Sequence, residues 1–297
     1  MTKLRFLRFF RYLNFKTLKE TVTNVGKRRL LGLASEIAYN AILSLFPAIL
    51  AILTAIGLLE EGLQNIFKEL AQQLSEVAPK EALDLITEFA RNEIANSKNG
   101  GLFSLSFFAA IWTASGAIGT AMTALDQIQQ TSENQMRPFW KAKIVSIGLT
   151  IGTIILLLLA CIFIFISGEL LQFVVDNSAG YLNFLSDLWN LMRWPLALAI
   201  VASAFGFIYR FGPSLWKKGT PIMPGALFAA ICWASVSNLF RIYVENFGNY
   251  NKAYGAIGTV IVLMLWLYMT AAVVLIGNQL NVTVGENMYP NPGKKIE

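Results

Sequence analysis

Histidine is absent from the 297 residues, which removes imidazole bases, histidine-ligated zinc and every histidine-containing triad. Charge is scarce: 14% of the residues are Asp, Glu, Lys or Arg, against about a quarter in an ordinary soluble domain. Such a chain cannot cover a water-facing surface. Cysteine is limited to Cys161 and Cys232, both inside apolar runs and without CxxC spacing. They read as core thiols, not as a disulfide or a metal knuckle. No P-loop occurs, and the glycines of YGAIGTV (Gly255, Gly258) follow no strand, so they form no dinucleotide loop. No carboxylate cluster has metal-site spacing. Residues 1–33 lack a compact apolar core with a small-residue cleavage site, so no signal peptide is expected. The expectation is a non-enzyme with no catalytic residues, no cofactor, no metal and no nucleic-acid partner.

Apolar residues take the place of charge. They make up 55% of the chain, and the mean hydropathy is +0.54. Six continuous apolar runs, residues 33–59, 101–125, 143–167, 191–211, 222–243 and 257–280, are each long enough for a helix to cross about 30 Å of hydrocarbon. The runs do not alternate, which excludes barrel strands. The pattern predicts an all-α integral membrane protein with six transmembrane helices. Residues 1–32 form a basic interfacial segment, 33–280 the membrane domain and 281–297 a tail. Between the first two spans, residues 60–100 carry Leu63, Ile66, Phe67, Leu70, Leu74 and Val77, then Leu83, Ile86, Phe89 and Ile94, at helical spacing. Two short amphipathic helices outside the membrane are expected there, and a shorter version over 169–190.

Charge sets the expected orientation. Seventeen of the 24 Lys and Arg fall in residues 1–33, the 126–143 and 210–218 connections and the tail, leaving seven on the other side. Positive charge marks the cytoplasmic face, so both termini are placed inside, in a bacterial cytoplasmic membrane. The N-terminal LRFLRFFRYLNFKTLK mixes arginine with phenylalanine and suits either a topology anchor or a helix lying on an anionic leaflet.

Polar residues within the spans are the candidate site. On a helix, Glu36, Asn40, Ser44 and Pro47 fall within about 80° of arc, and Ile42, Leu45, Ile49 and Ile52 lie opposite. The polar face suits a cavity or substrate path; alternatively Glu36 reaches the interface or pairs with Lys27, Arg28 and Arg29. Pro47 predicts a kink. The small residues Ala114, Ser115, Gly116, Ala117, Gly119, Thr120 and Ala121 read as a close helix–helix contact. Arg193, Arg241 and Asn238, at the outer ends of two spans, either snorkel to the interface or together hold a phosphate-bearing head group.

Five stretches resemble the YihY/virulence factor BrkB family. They are AYNAILSLFPAIL, WTASGAIGTAMTALD, YRFGP, PGALFAAICW and NYNKAYGAIGTVIVLMLWLYMTAAVVLIGNQLN, in that order over residues 20–285. The resemblance implies a six-helix protein of the bacterial cytoplasmic membrane. Some relatives were formerly labelled ribonuclease BN, which suits a histidine-free chain poorly. Relatives often carry an acidic residue where Gln279 stands, so the resemblance implies no charged role at that position in this chain. At family level the resemblance implies movement of lipids or other amphiphilic envelope molecules. The alternative is a non-transporting scaffold, with membrane lipids as partners and an envelope protein docked on residues 60–100.

Topology gives the first test. A reporter fused at residue 85 should report the exterior and one at residue 297 the interior; the reverse pattern, or equal signals, would remove the orientation derived from the Lys/Arg count.

Overall fold

The computed structural model describes residues 9, 11–57, 100–176, 183–216, 220–246 and 250–289. All regular structure among them is helical: α1 (Phe15–Lys27), α2 (Leu30–Gly57), α3 (Gly100–Gln129), α4 (Phe139–Asp176), α5 (Asn183–Phe211), α6 (Met223–Asn246) and α7 (Tyr250–Met288), with one 3-10 turn at Glu133–Gln135. The expected amphipathic helices of 60–100 lie outside the described residues.

Among the described residues five helices, α3 to α7, contain stretches long and apolar enough to cross a membrane. Helix α2 runs from Leu30 to Gly57, and its apolar stretch covers Leu30–Leu45 among the described side chains. Residues 169–190 differ from expectation: α4 continues to Asp176 and α5 begins at Asn183, so both flanks extend membrane helices. At 1.5 Å per residue α4 is about 57 Å long, nearly twice the hydrocarbon thickness. Helix α7 likewise runs past residue 280 to Met288.

Local chemistry sets the helix ends. The Asn14 side chain accepts from the Thr17 amide at 2.9 Å and starts α1. Arg29 (φ 52°) and Gln130 (φ 54°) adopt left-handed backbone between α1 and α2 and after α3, so neither helix can continue through them. The first turn of α6 is capped from another helix. Asn281 of α7 accepts from the Gly225 amide at 2.8 Å and donates to the Ile222 carbonyl at 2.9 Å.

Sequence neighbours pack side by side from α2 to α7, and α7 closes the ring onto α2. The main core joins α2 (Leu30, Ala34), α3 (Leu125, Ile128), α5 (Phe205, Tyr209), α6 (Ala226, Ala229, Ala230) and α7 (Leu275, Val282). Helix α4 contributes nothing to that cluster among the described residues. The α6–α7 crossing is the tightest. A Cβ on Gly277 would lie 2.7 Å from the Gly225 carbonyl oxygen, the Ala229 Cβ and the Tyr209 Oη; one on Gly225 would overlap the Asn281 side chain and the Gly277 carbonyl. Backbones this close exclude any side chain larger than hydrogen. Tyr209, fully buried, donates to the Val274 carbonyl at 2.5 Å beside this crossing.

A second cluster joins Phe9 to Leu280, Val284 and Met288, with Tyr12 and Leu13 packed against it. Asn287 donates to Glu20 at 2.8 Å and to the Thr17 hydroxyl at 3.2 Å. One side of α1 is thus docked on α7. Its other side exposes Phe15, Leu18 and Val22.

Gly225→Ala should destabilise the detergent-extracted protein by about 1–3 kcal/mol, through overpacking against backbone. The control is Gly26→Ala, whose added methyl meets nothing within 4 Å. A melting temperature for Gly225→Ala equal to that of the control would mean that α6 and α7 are not held in this contact.

Candidate functional site

The gap between α4 and the core is a cavity of about 880 Å³. Its walls come from α2 (Leu33, Glu36, Tyr39, Asn40), α3 (Ser115 to Asp126), α4 (Phe139, Lys143, Ser146) and the turns carrying Arg137 and Ser214, with Met264 from α7. The void follows from the α3 sequence. Gly116 and Gly119 line it, and a Cβ on Gly119 would meet nothing within 4 Å. The small-residue patch therefore does two things. Ala114, Ser115 and Ala121 are buried in packing and a Cβ on Gly116 would touch the Ser44 hydroxyl at 3.5 Å, while Gly119 leaves space.

The polar face of α2 also divides. Glu36 and Asn40 line the cavity. Ser44 is buried and donates to the Thr113 carbonyl of α3 at 3.2 Å, so it joins helices. Pro47 lies within α2, half-buried and outside the cavity lining. The Asn40 amide donates to the Glu36 backbone carbonyl at 2.9 Å. Among the described residues the Glu36 carboxylate carries no hydrogen bond or ion pair; it lines a second, smaller cavity together with Lys27, Arg28 and Arg29.

The other charged residues in the wall are committed. Asp126 is buried and accepts from the Ser214 amide at 2.6 Å, the Ser214 hydroxyl at 2.7 Å and the Thr131 hydroxyl at 3.3 Å. Arg137 donates to the carbonyls of Gly212 (2.7 Å) and Pro213 (2.8 Å), and its amide to the Ser214 hydroxyl at 3.1 Å. Together they clamp the α3–α4 turn to the turn after α5, the end of the YRFGP stretch. Lys143 donates to the Trp112 carbonyl at 2.7 Å and sits 4.6 Å from the Trp112 ring centroid. The cavity thus combines a mostly apolar, aromatic-edged wall with one uncommitted carboxylate and fixed dipoles. That composition accommodates an amphiphile.

Sequence reasoning nominated Glu36, Asn40, Ser44 and Pro47 but not Asp126, Arg137, Lys143 or Ser214. An acidic residue ending an apolar span was the available signal for Asp126. At the other end of the bundle Arg241 donates to Asn238 at 3.3 Å, one turn apart on α6. The Arg193 and Cys161 side chains lie outside the described residues, and Cys232 is a half-buried free thiol. Among the described residues no three Asp, Glu or Cys side chains gather into a metal-binding set.

Gln279 is fully buried. Its Oε1 accepts from Arg28 at 3.0 Å, and its Nε2 donates to the Thr283 hydroxyl at 2.9 Å. The same Arg28 nitrogen donates to the Ile128 carbonyl of α3. Burial pushes the Arg28 guanidinium below its ordinary pKa, and nearby Glu286 pulls it partly back.

Residues 21–296 match the family described as Virulence factor BrkB. The ribonuclease-like protein YfkH of Bacillus subtilis is 32% identical over 248 residues, 84% of this chain and 87% of that protein. A UPF0761 membrane protein of Verminephrobacter eiseniae is 25% identical over 89% of this chain and 61% of its own length. The UPF0761 membrane protein YihY of Escherichia fergusonii is 28% identical over 68% of this chain and 66% of its own. No solved structure matches the chain at a significant level.

Asp126→Ala should lower stability by about 1.5–3 kcal/mol, because the Ser214 amide and hydroxyl lose a charged acceptor. Ser214→Ala, which keeps the amide bond, should cost less. Thermal unfolding in detergent separates the two; equal losses would mean that the hydroxyl, not the amide, holds the turn.

Proposed function

The chain belongs to the Virulence factor BrkB family of multi-pass membrane proteins, and from that premise we propose that it moves lipids or other amphiphilic envelope molecules through the α2–α3–α4 cavity. One observation carries the reading: the cavity pairs apolar walls with the uncommitted Glu36 carboxylate, beside Asn40. A carboxylate within an apolar helix is expensive to keep unless it faces water or cargo. In this reading six helices cross the bacterial cytoplasmic membrane, both termini are cytoplasmic, and the cavity opens on that side. Movement is downhill, ion-coupled or partner-driven, because no P-loop occurs in the sequence. The same reading makes the chain a non-enzyme: it has no histidine to act as a base. The ribonuclease-like label belongs to the Bacillus subtilis protein.

The test is lipid exchange between leaflets of proteoliposomes, followed with a phospholipid whose fluorescent head group is quenched from outside. Protein-containing vesicles should lose the inner-leaflet signal faster than empty ones. Glu36→Gln keeps volume and removes charge; Gly119→Leu fills the void where an added Cβ meets no neighbour. Both variants should stay folded and lose most of the exchange, while Leu43→Val, on an exposed side of α2 outside the cavity lining, should keep it. No exchange by the parent protein, or full exchange by both variants, would favour the scaffold, with its partner surface on residues 60–100.

A further inference from the structure

The turn joining α1 to α2 places three cations in succession, Lys27, Arg28 and Arg29, around a second cavity of about 400 Å³. Small-molecule sites run from about 300 to 1,000 Å³. In a continuous helix three consecutive side chains would diverge by about 100° each. Here α1 ends at Lys27, and Arg29 takes a left-handed φ of 52°, an uncommon conformation for a residue with a Cβ. The break turns all three onto one cavity. Arg28 has one nitrogen committed to Ile128 and Gln279. Among the described residues, neither the Lys27 nor the Arg29 side chain carries a hydrogen bond or ion pair. The acid in the lining, Glu36, forms no ion pair with them, so positive charge is in excess.

A second observation locates the cavity. Helix α1 exposes Phe15 (84%), Leu18 (45%) and Val22 (72%) on one side, at i, i+3 and i+7, while Thr17 and Thr21 are buried on another. An apolar stripe on a short basic helix belongs at a bilayer surface. The helix ends at Lys27, so a bilayer surface that met this stripe would bring its head groups to the cationic cavity.

We propose that Lys27, Arg28 and Arg29 form a binding site for a phosphate oxyanion, supplied by the head group of an anionic phospholipid. Lys27 and Arg29 provide charge and free donors, and Arg28, anchored on α3 and α7, fixes the site to the bundle. The site stands whether or not the larger cavity carries cargo.

Thermal unfolding of the full chain in detergent tests it, with three added probes: phosphatidylglycerol, diacylglycerol of the same acyl chains, and inorganic phosphate. Phosphatidylglycerol should raise the melting temperature by several degrees and diacylglycerol should not. The double variant Lys27→Gln/Arg29→Gly should lose most of that shift. Glycine suits φ 52°, so this variant keeps the turn. Lys16→Gln/Lys19→Gln removes the same charge from α1 away from the cavity and should keep the shift. Stabilisation by inorganic phosphate, lost in the same double variant, would keep the site and change its ligand to a soluble phosphate. Equal shifts in the parent and Lys27→Gln/Arg29→Gly, equal shifts from phosphatidylglycerol and diacylglycerol, or an equal loss in Lys16→Gln/Lys19→Gln would overturn the proposal.

Discussion

Hydrocarbon offers a polar atom no partner, so a polar atom left unpaired within the bundle is costly and most are paired inside the protein. The last third of α7 is where that constraint acts most strongly. It is largely buried, yet it carries Gln279, Asn281, Thr283 and Asn287, whose side chains find partners, and Asn278, whose buried side-chain amide has none among the described residues. Most of its bonds leave the helix. The Val274 carbonyl takes the Tyr209 hydroxyl of α5, Gln279 takes Arg28 from the α1–α2 turn, Asn281 caps α6, and Asn287 reaches α1. A shift of α7 by one residue would turn these groups about 100° away from their partners. The Gly225–Gly277 contact then permits a single depth of approach. Ring closure follows from this set of bonds more than from the apolar faces, which would tolerate sliding.

With α7 set, the position of the cavity follows. Helix α2 packs on α7, and α3 packs on α2 through the Ser44–Thr113 bond and small-residue contacts. Helix α4 has no share in the main core among the described residues. It is tied to its neighbours at particular points: Lys143 on the Trp112 carbonyl, Phe207 of α5 close against Gly152, and Arg137 on the turn after α5. These ties hold α4 at a distance that Gly119 leaves unfilled. Polar residues serving as ties cannot also serve cargo without breaking the wall. That separates Asp126, Arg137 and Lys143, which are structural, from Glu36, whose carboxylate is uncommitted.

Much of this was legible in the sequence because helical periodicity is a local property. The apolar runs, the shared face of Glu36 and Asn40, and the small-residue patch of α3 all depend on spacings of three or four residues. What was not legible depends on which helices meet. Asp126 and Ser214 are 88 residues apart and Arg28 and Gln279 are 251 apart, and no periodicity joins them. The end of α7 was missed for a related reason. Hydropathy falls at residues 278–281, which reads as the membrane edge, but Asn281 bonds to α6 and Gln279 to Arg28 of the α1–α2 turn, so the helix continues. Ser44 lay on the correct face of α2, yet periodicity alone could not separate a residue that lines a void from one that touches α3.

Arg28 connects the two themes. A half-buried guanidinium is normally balanced by a carboxylate in contact, because desolvation of an unpaired charge is costly. Here the group in contact is the neutral Gln279, and the nearest relief comes from Glu286, seven residues further along α7. The uncharged amide satisfies a donor but leaves the charge. Lys27 and Arg29 add two more cations to the same turn, and the left-handed backbone at Arg29 keeps them from spreading along a helix. Two carboxylates lie near the turn, Glu36 in the cavity lining and Glu286 beyond Gln279, against three cations, and the charge left over is what the proposed phosphate oxyanion would meet.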